Sequence, residues 1–282
     1  MNEVMSPRPL ALVTGASSGI GEAAAIAFVE AGYDVVGTSR NSAGTASLVG
    51  VTLLDLDVGS DDSVSALVDD VIGRFGRIDV LVNNAGIGAG GAAEESSVEQ
   101  ARRVFDVNFF GLIRMTKAVL PHMRAQGKGR IINVSSVLGF VPVPFGALYA
   151  ASKHAVEGYS ESVDHEVRQH GVRVLLVEPG FTKTAFDANI VPPAVSLAAY
   201  ADDRRSAEAV LAESMVSGDE PSVVAATIVR APTDAKPKLR YPAGRQAKQL
   251  TLLRRIVPTR TFDKQIHKFN RQPGRPVERR AG

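Results

Sequence analysis

"LALVTGASSGIGEAAAIAF" runs from Leu10 to Phe28, and its middle, "TGASSGIG" (Thr14–Gly21), decides the fold. A short apolar run, Leu10–Thr14, gives way to small residues, and an alanine-rich helical stretch follows at once. Glycine at 15, 19 and 21 permits a tight turn and lets backbone come close to a phosphate. A helix N-terminus behind the turn attracts the anion. A Gly-rich turn by itself is only a turn. The flanking strand and helix make this one a nucleotide site, from Gly15, Ser17, Ser18, Gly19, Ile20 and Gly21. Its G-x-x-x-G-x-G spacing differs from the common G-x-G-x-x-G.

Outward from this turn, β-branched runs alternate with helical stretches. Asp34–Ser39, Val51–Leu56, Asp79–Asn84, Arg130–Ser136 and Val172–Glu178 are predicted strands, nearly continuous in apolar residues, as expected when both faces are covered. "SDDSVSALVDDVIGRFG" is a predicted helix with a Ser60 cap, acids in its first turn and Val64, Leu67, Val68, Val71 and Phe75 at helical spacing. "KLRY" (Lys238–Tyr241) is a candidate last strand. The alternation predicts an α/β fold: a Rossmann-like, doubly wound parallel sheet of about seven strands, with helices on both faces. One domain, 1–282, is expected. It comprises a cofactor-binding and catalytic core (8–190), a substrate lid (185–235) and a basic extension (236–282).

The 282 residues include no cysteine, which excludes disulfides, thiolate catalysis and Cys-bound zinc. The five histidines show no H-x-x-x-H spacing, so no metal site is expected. No apolar run reaches membrane-span length, and the first residues show no signal-peptide apolar core, so a cytoplasmic location is expected. The formal charge of +2 is unevenly placed: residues 236–282 hold 14 Lys and Arg against Asp263 and Glu278. The remainder has 18 basic and 28 acidic side chains. Nothing points to nucleic acid.

The end of the second predicted strand bears on the cofactor. NAD-binding folds place an acid there for the ribose 2′-hydroxyl. Here the sequence is "GTSRNS", with Arg40 and no acid. Arginine can bind a 2′-phosphate with forked hydrogen bonds, where a carboxylate would repel it. Arg40 therefore favours NADP(H), with NAD as the alternative.

Tyr149 and Lys153 stand four residues apart in "YAASKHAVEGY", on one face of a predicted helix. Surface Tyr and Lys share that spacing often, and alone it means little. Its chemical reading is that the ammonium holds the phenol near its acid–base transition. Moving a tyrosine from ~10 to ~7 takes roughly 4 kcal/mol. One positive charge ~4 Å away at an effective dielectric of ~20 supplies about that much. Ser136 precedes Tyr149 by 13 residues at a predicted strand end, where ligands bind in open α/β sheets. Asn108 is polar inside an apolar helix, which more often marks local backbone bonding or a kink. "NNAG" (Asn83–Gly86) can cap backbone or bind cofactor.

Taken together, T-G-x-x-x-G-x-G, N-N-A-G, a helical Asn, Ser136, Y-x-x-x-K and P-G-x-x-x-T resemble the short-chain dehydrogenases/reductases over residues 8–190. "VPFGALYAASKHAVEGYSESV" and "GVRVLLVEPGFTKTAF" are most similar to the 17-beta-hydroxysteroid dehydrogenase and retinol dehydrogenase branch. The resemblance implies Tyr149 as general acid/base, and Lys153 lowering its pKa and bonding the nicotinamide ribose. Ser136 would orient the substrate oxygen, and Asn108 would hold a water in a proton relay from Lys153. Asp57 and Val58 would meet the adenine, and Asn84, Ala85 and Gly86 the adenosine ribose region. Pro179 and Gly180 would lead into Thr182, on the nicotinamide carboxamide, and Thr184, on the pyrophosphate side. Ser135 is the weaker rival of Ser136, one residue out of register.

The implied activity is NADP(H)-dependent interconversion of a carbonyl and an alcohol, in a homodimer or homotetramer. Substrate contacts are expected from Ser136, Tyr149, Phe145 and Phe186, within or beside "GIGAGG", "VLGFVPVPF" and the apolar stretch Ala185–Tyr200. That stretch is read as a lid over an apolar pocket, for a steroid, retinoid or lipid-like carbonyl, against an ordinary packing loop followed by a helix. Two other functions compete: a non-catalytic NADP-sensing module, which would typically lose Tyr149 or Lys153, and a nucleotide-sugar epimerase or dehydratase, with a different Gly motif and a larger C-terminal domain. In the tail, Thr261–Gln272 is a predicted amphipathic helix with Phe262, Ile266 and Phe269 on one face. It either docks on its own domain or lies weakly on a membrane surface.

Overall fold

The computed structural model describes residues 8–271, so residues 1–7 and the end of the basic extension (272–282) lie outside the described residues. The first half runs β1 (Leu10–Val13), α1 (Gly19–Glu30), β2 (Asp34–Ser39), β3 (Val51–Asp55), α2 (Asp61–Phe75) and β4 (Val80–Asn83). Then come β5 (Gly88–Ala89), α3 (Val98–Phe105), α4 (Gly111–Ala125), β6 (Gly129–Val134), α5 (Ala147–Val167) and β7 (Val172–Pro179). The last third holds β8 (Ile190–Val191), α6 (Ala201–Val216), α7 (Pro221–Thr233), β9 (Arg240–Ala243), α8 (Arg245–Ile256) and α9 (Thr259–Phe269).

Seven strands form one parallel sheet in the order β3-β2-β1-β4-β6-β7-β9. The order reverses at β1 and β4, and such a reversal opens a crevice at the carboxyl ends of the strands. Leu10 and Leu12 of β1 pack with α2, α4 and α5, while Ala11 and Val13 pack with α1 and α7 on the other face. Burial on both faces explains why these strands are uniformly apolar. β3, at the edge, is only partly buried.

Local signals set the helix ends. The Ser60 hydroxyl accepts from the Ser63 amide at 3.2 Å, Asp61 and Asp62 fill the first turn of α2, and Gly76 ends it in the left-handed region. The last strand differs from the predicted Lys238–Tyr241: it starts at Arg240 and continues through Pro242 to Ala243. Proline removes one ladder donor, which an edge strand tolerates. Further down α5, the fully buried Asp164 ties the helix to β7. Burial opposes its ionisation, but Arg173 at 2.8 Å, Arg168 at 2.9 Å and the Val174 amide at 3.0 Å hold its carboxyl low.

Candidate active site

The crevice holds a cavity of about 940 Å³. The Gly-rich turn walls one end, β6 and α5 the middle, and the segment after Thr184 the other end. Of the residues singled out from the sequence, all but Gly21 and Asn108 line it.

Gly15 and Gly19 have φ of +67° and +60°, which glycine adopts without strain. A Cβ on Gly15 would lie 3.0 Å from the Ala85 Cα, and one on Gly19 would lie 3.0 Å from the Thr184 Cγ2. The turn is thus pressed between the Asn84–Gly86 strand end and Thr184. Gly21 is needed for packing: a side chain there would strike the Gly15 carbonyl and the Asn84 amide. Ser18 precedes α1 in an extended conformation and gives no side-chain cap. The first amides of α1 therefore keep no side-chain acceptor and lie beside the cavity wall, which suits a phosphate.

Asn84 braces backbone: its Nδ2 donates to the Thr14 and Gly15 carbonyls at 3.0 and 3.1 Å. The Thr14 hydroxyl, which the sequence reading passed over, accepts from the Asn84 and Ala85 amides at 3.0 and 3.1 Å. Arg40 is exposed at the end of β2, with Asp57 and Val58 lining the same end of the cavity. Among the described residues no ion pair engages Arg40.

The middle of the cavity brings Ser136, Tyr149 and Lys153 together. Ser136 follows β6 and caps a short 3-10 turn, its hydroxyl accepting from the Leu138 amide at 3.1 Å. The Ser135 Oγ lies near the Glu157 carboxylate, beside Gly139. Tyr149 is half-buried and its ring meets that of Phe186 edge-on at 5.6 Å.

The expected effect of Lys153 on Tyr149 is not what the protein alone displays. The Lys153 ammonium donates to the Val134 carbonyl at 2.8 Å and lies 5.7 Å from the Tyr149 ring centre. Burial pushes the Tyr149 hydroxyl up to about 12, and only the facing Ser136 hydroxyl works the other way. Burial likewise pushes Lys153 down to about 8, against the opposing charge of Glu157. Desolvation outweighs the attraction that the i, i+4 spacing suggested.

Asn108 sits in a π-helical turn, Asp106–Phe110, between α3 and α4. Such turns widen the helix and are frequent at functional sites. Its side-chain amide is fully engaged: Oδ1 accepts from the Ile87 amide at 2.8 Å, and Nδ2 donates to the Ile87 carbonyl at 2.9 Å and to the Ser152 hydroxyl at 3.1 Å. Asn108 and Lys153 share the wall of a second cavity of about 10 Å³. That is close to the least volume that holds one water.

At the far end, β8 pairs with β5, so the segment after Thr184 lies over the "GIGAGG" stretch. The buried Glu95 fixes the layer above it, accepting from Arg204, the Leu197 amide at 2.8 Å and the Ala92 amide at 3.0 Å. The Arg204 guanidinium leads these partners in holding the Glu95 carboxyl down at about 2. Gln100 donates to the Pro192 carbonyl, and the Tyr200 hydroxyl to Glu94 at 2.7 Å. Phe145 lines the cavity with φ +61°, a strained conformation for a bulky residue. Phe181 stacks on Phe269 of α9 at 6.5 Å, and Phe269 and Asn270 complete the wall. None of these latch and wall contacts carries a motif, since each joins residues far apart in the chain.

Residues 9–194 match the short chain dehydrogenase family. A 3-ketodihydrosphingosine reductase from Bacteroides thetaiotaomicron is 38% identical over 242 residues, covering 85% of this chain and 89% of that one. Retinol dehydrogenase 8 from Bos taurus is 36% identical over 276 residues, covering 90% and 87%. A short-chain dehydrogenase from Streptomyces avermitilis superposes with a TM-score of 0.81 at 34% identity, covering 95% of this chain and 99% of its own. A metagenomic short-chain oxidoreductase, solved with NADP, gives 0.65 at 30% identity, covering 83% and 96%. The 3-ketoacyl-(acyl-carrier-protein) reductase from Brucella melitensis, solved with NADH, gives 0.68 at 26%, covering 84% and 97%. With a fold, a family match and relatives that all agree, the chain belongs to the short-chain dehydrogenase family and is an oxidoreductase of alcohol and carbonyl groups.

Proposed function

We propose that the protein interconverts an apolar carbonyl compound and its alcohol, prefers NADPH, and uses Tyr149 as the acid–base group. The observation that carries this is the placement of Ser136, Tyr149 and Lys153 between a phosphate-suited turn and an apolar chamber in one cavity. The dinucleotide would be held by the Gly15–Ile20 turn, Asp57 and Val58, Asn84–Gly86, and the Pro179–Thr184 segment, with Arg40 for a 2′-phosphate. When bound, it supplies or takes up the hydride.

The chain's own residues manage the proton. Tyr149, protonated in this environment, is set to donate to the developing alkoxide while Ser136 hydrogen-bonds the same oxygen. The phenolate left behind lies near the Lys153 ammonium, which stabilises it. Asn108 acts at one remove: by gripping Ile87 and Ser152 it fixes the α5 turn that carries Lys153. The small cavity shared by Asn108 and Lys153 is the path by which the proton is replaced.

Phe145, Phe186, Phe181, Ile190 and Phe269 make the chamber beyond Tyr149 apolar. The names of the reductase and retinol dehydrogenase relatives fit long lipid-like substrates, and this reading extends that class to the present chain. For the tail, docking is favoured over membrane contact: Phe262 is buried under Arg254, whose guanidinium lies 4.9 Å from its ring, and Phe269 meets Phe181. No described helix is long and apolar enough to cross a membrane. A homodimer or homotetramer completes the reading, and sedimentation tests it.

The deciding experiment is a panel of ketones, aldehydes and alcohols with NADPH and with NADH, following absorbance of the reduced nicotinamide. Turnover of an apolar carbonyl with NADPH supports the reading. Dinucleotide binding without turnover of any member would favour the sensing module.

A further inference from the structure

On α8 the large apolar side chains stand on the solvent side. The helix buries one residue, Ala247, against the body of the protein. Leu252, Leu253 and Ile256 are 58%, 45% and 65% exposed. At about 100° per residue, Leu252 and Ile256 fall about 40° apart, and Ile256 lies about opposite Ala247. The apolar stripe therefore points straight out of the fold. Single exposed apolar side chains need no partner, but three on one outward face form a ridge.

The charge around the ridge indicates what covers it. α8 carries Arg245, Lys248, Arg254 and Arg255 and no acid. Lys248 and Arg255 fall within about 60° of Leu252 on the helix. Arg254 is taken up by the Phe262 ring, 4.9 Å away. On α9, Arg260, Lys264 and Lys268 are exposed, with Asp263 the one acid of that helix. Among the described residues no ion pair engages Lys248, Arg255, Lys264 or Lys268. A second copy of the chain meeting this face symmetrically would set these cations against one another. Nucleic acid would neutralise the cations and leave the ridge without an apolar partner. An anionic bilayer satisfies both, since lipid phosphates take the cations and the acyl boundary takes the ridge.

The same helix is tied to the cavity. Gln246, in its first turn, accepts from the Phe181 amide at 3.2 Å. Phe181 lines the cavity and stacks on Phe269. From Gln246 to Leu252 is about 9 Å along the helix.

We propose that the outer face of α8 is a docking surface for an anionic lipid bilayer. Leu252, Leu253 and Ile256 enter the boundary between headgroups and acyl chains, while Lys248 and Arg255 pair with lipid phosphates. The tail helix α9 stays docked through Phe262 and Phe269 and contributes only charge. Docking does not depend on which compound the protein turns over. On the reading that the substrate is apolar, a bilayer held there brings it beside the Phe181 and Phe269 wall.

The test uses the full chain and vesicles alone. Vesicles of phosphatidylcholine mixed with phosphatidylglycerol, and of phosphatidylcholine only, are floated with the protein at low and high salt. Wild type should float with the anionic vesicles at low salt and be released from them at high salt. Leu252→Gln/Ile256→Gln should bind at least about tenfold more weakly. Lys248→Gln and Arg255→Gln should each cost roughly fivefold. The chain has no tryptophan, so Leu253→Trp supplies a single reporter. Its emission should shift to the blue on anionic vesicles and be quenched by brominated acyl chains. No binding by wild type, or equal binding to both kinds of vesicle, overturns the proposal. Binding that Leu252→Gln/Ile256→Gln retains, or that leaves the Leu253→Trp emission unshifted, places the contact elsewhere and overturns it too. If Leu252→Gln/Ile256→Gln sediments as a smaller species than wild type, the ridge is an interface between copies and the bilayer reading falls.

Discussion

Every side chain of β1 is buried, whereas the sixteen residues of α6 include one buried side chain, Val210. The turn that follows β1 and one side of α6 line the same cavity, and the two regions are held by different forces. The sheet half is built from apolar surface on both faces, with its strand ends fixed by backbone ladders. The layer over the pocket is held by a few polar contacts that meet at Glu95, plus one aromatic stack at the tail. Regions with few buried apolar contacts open at lower free energy than the core. On the proposed function, proton chemistry would sit on the rigid half and substrate choice on the half that can loosen.

The largest test strikes the rigid half. Asp164→Ala leaves Arg173, Arg168 and the Val174 amide without their acceptor, and should cost about 3–5 kcal/mol in urea unfolding. A loss below about 1 kcal/mol would mean the α5–β7 seam is held otherwise. Next, Tyr149→Phe should keep fold and NADPH binding yet lower kcat by at least ~10²-fold. Near-normal turnover would remove the division between chemistry and lid altogether.

At the cofactor end, Arg40→Asp should weaken NADPH binding by about 1.5–3 kcal/mol and NADH binding by less. A wild type that binds NADH better in titration contradicts this. The smallest effect belongs to the lid: Glu95→Gln should raise KM roughly tenfold with kcat little changed. A fall in kcat with KM unmoved would place the latch in the chemistry and blur the comparison.

The layer over the pocket also has its own pH window. Glu95 titrates near 2 in the fold, below its ordinary value of 4.5, so the stability it lends is complete above about 4.5. It is lost as pH falls from there toward 2, as the carboxyl takes up its proton. Hydrogen exchange in α6 should therefore quicken on acidification before exchange in β1 and β4 does. Simultaneous loss of both would show that the two regions open as one.

How much of this was legible followed the same division. The Ser60 cap, the turn at Gly15 and Gly19, and the Tyr149–Lys153 pair are local, fixed by residues within a few positions of one another. The place of Ser136 at a strand end follows from the parallel topology. The upward push on the Tyr149 hydroxyl in the protein alone could not be read from spacing, because burial, and the bond from Lys153 to Val134, depend on the assembled sheet. The packing role of Gly21 was not legible, because its neighbour, the Asn84 amide, is distant in the chain. Glu95 and Arg204, and Phe181 and Phe269, meet only after the chain has folded, and no spacing announces them. The last strand was cut short at Pro242, which rules out a central strand but not an edge.

One wall of the pocket comes from Phe269 and Asn270, beyond the last strand of the sheet. A chain leaving the ribosome presents its N-terminal portion first, and compact units close as they emerge. The Gly-rich turn, Ser136 and Tyr149 can therefore be in place while α9 is still in the exit tunnel. A nascent chain at that stage would expose Phe181 and leave one wall of the apolar chamber open. Chaperone contact with the emerging protein should accordingly peak late, and fade only once the tail has been released.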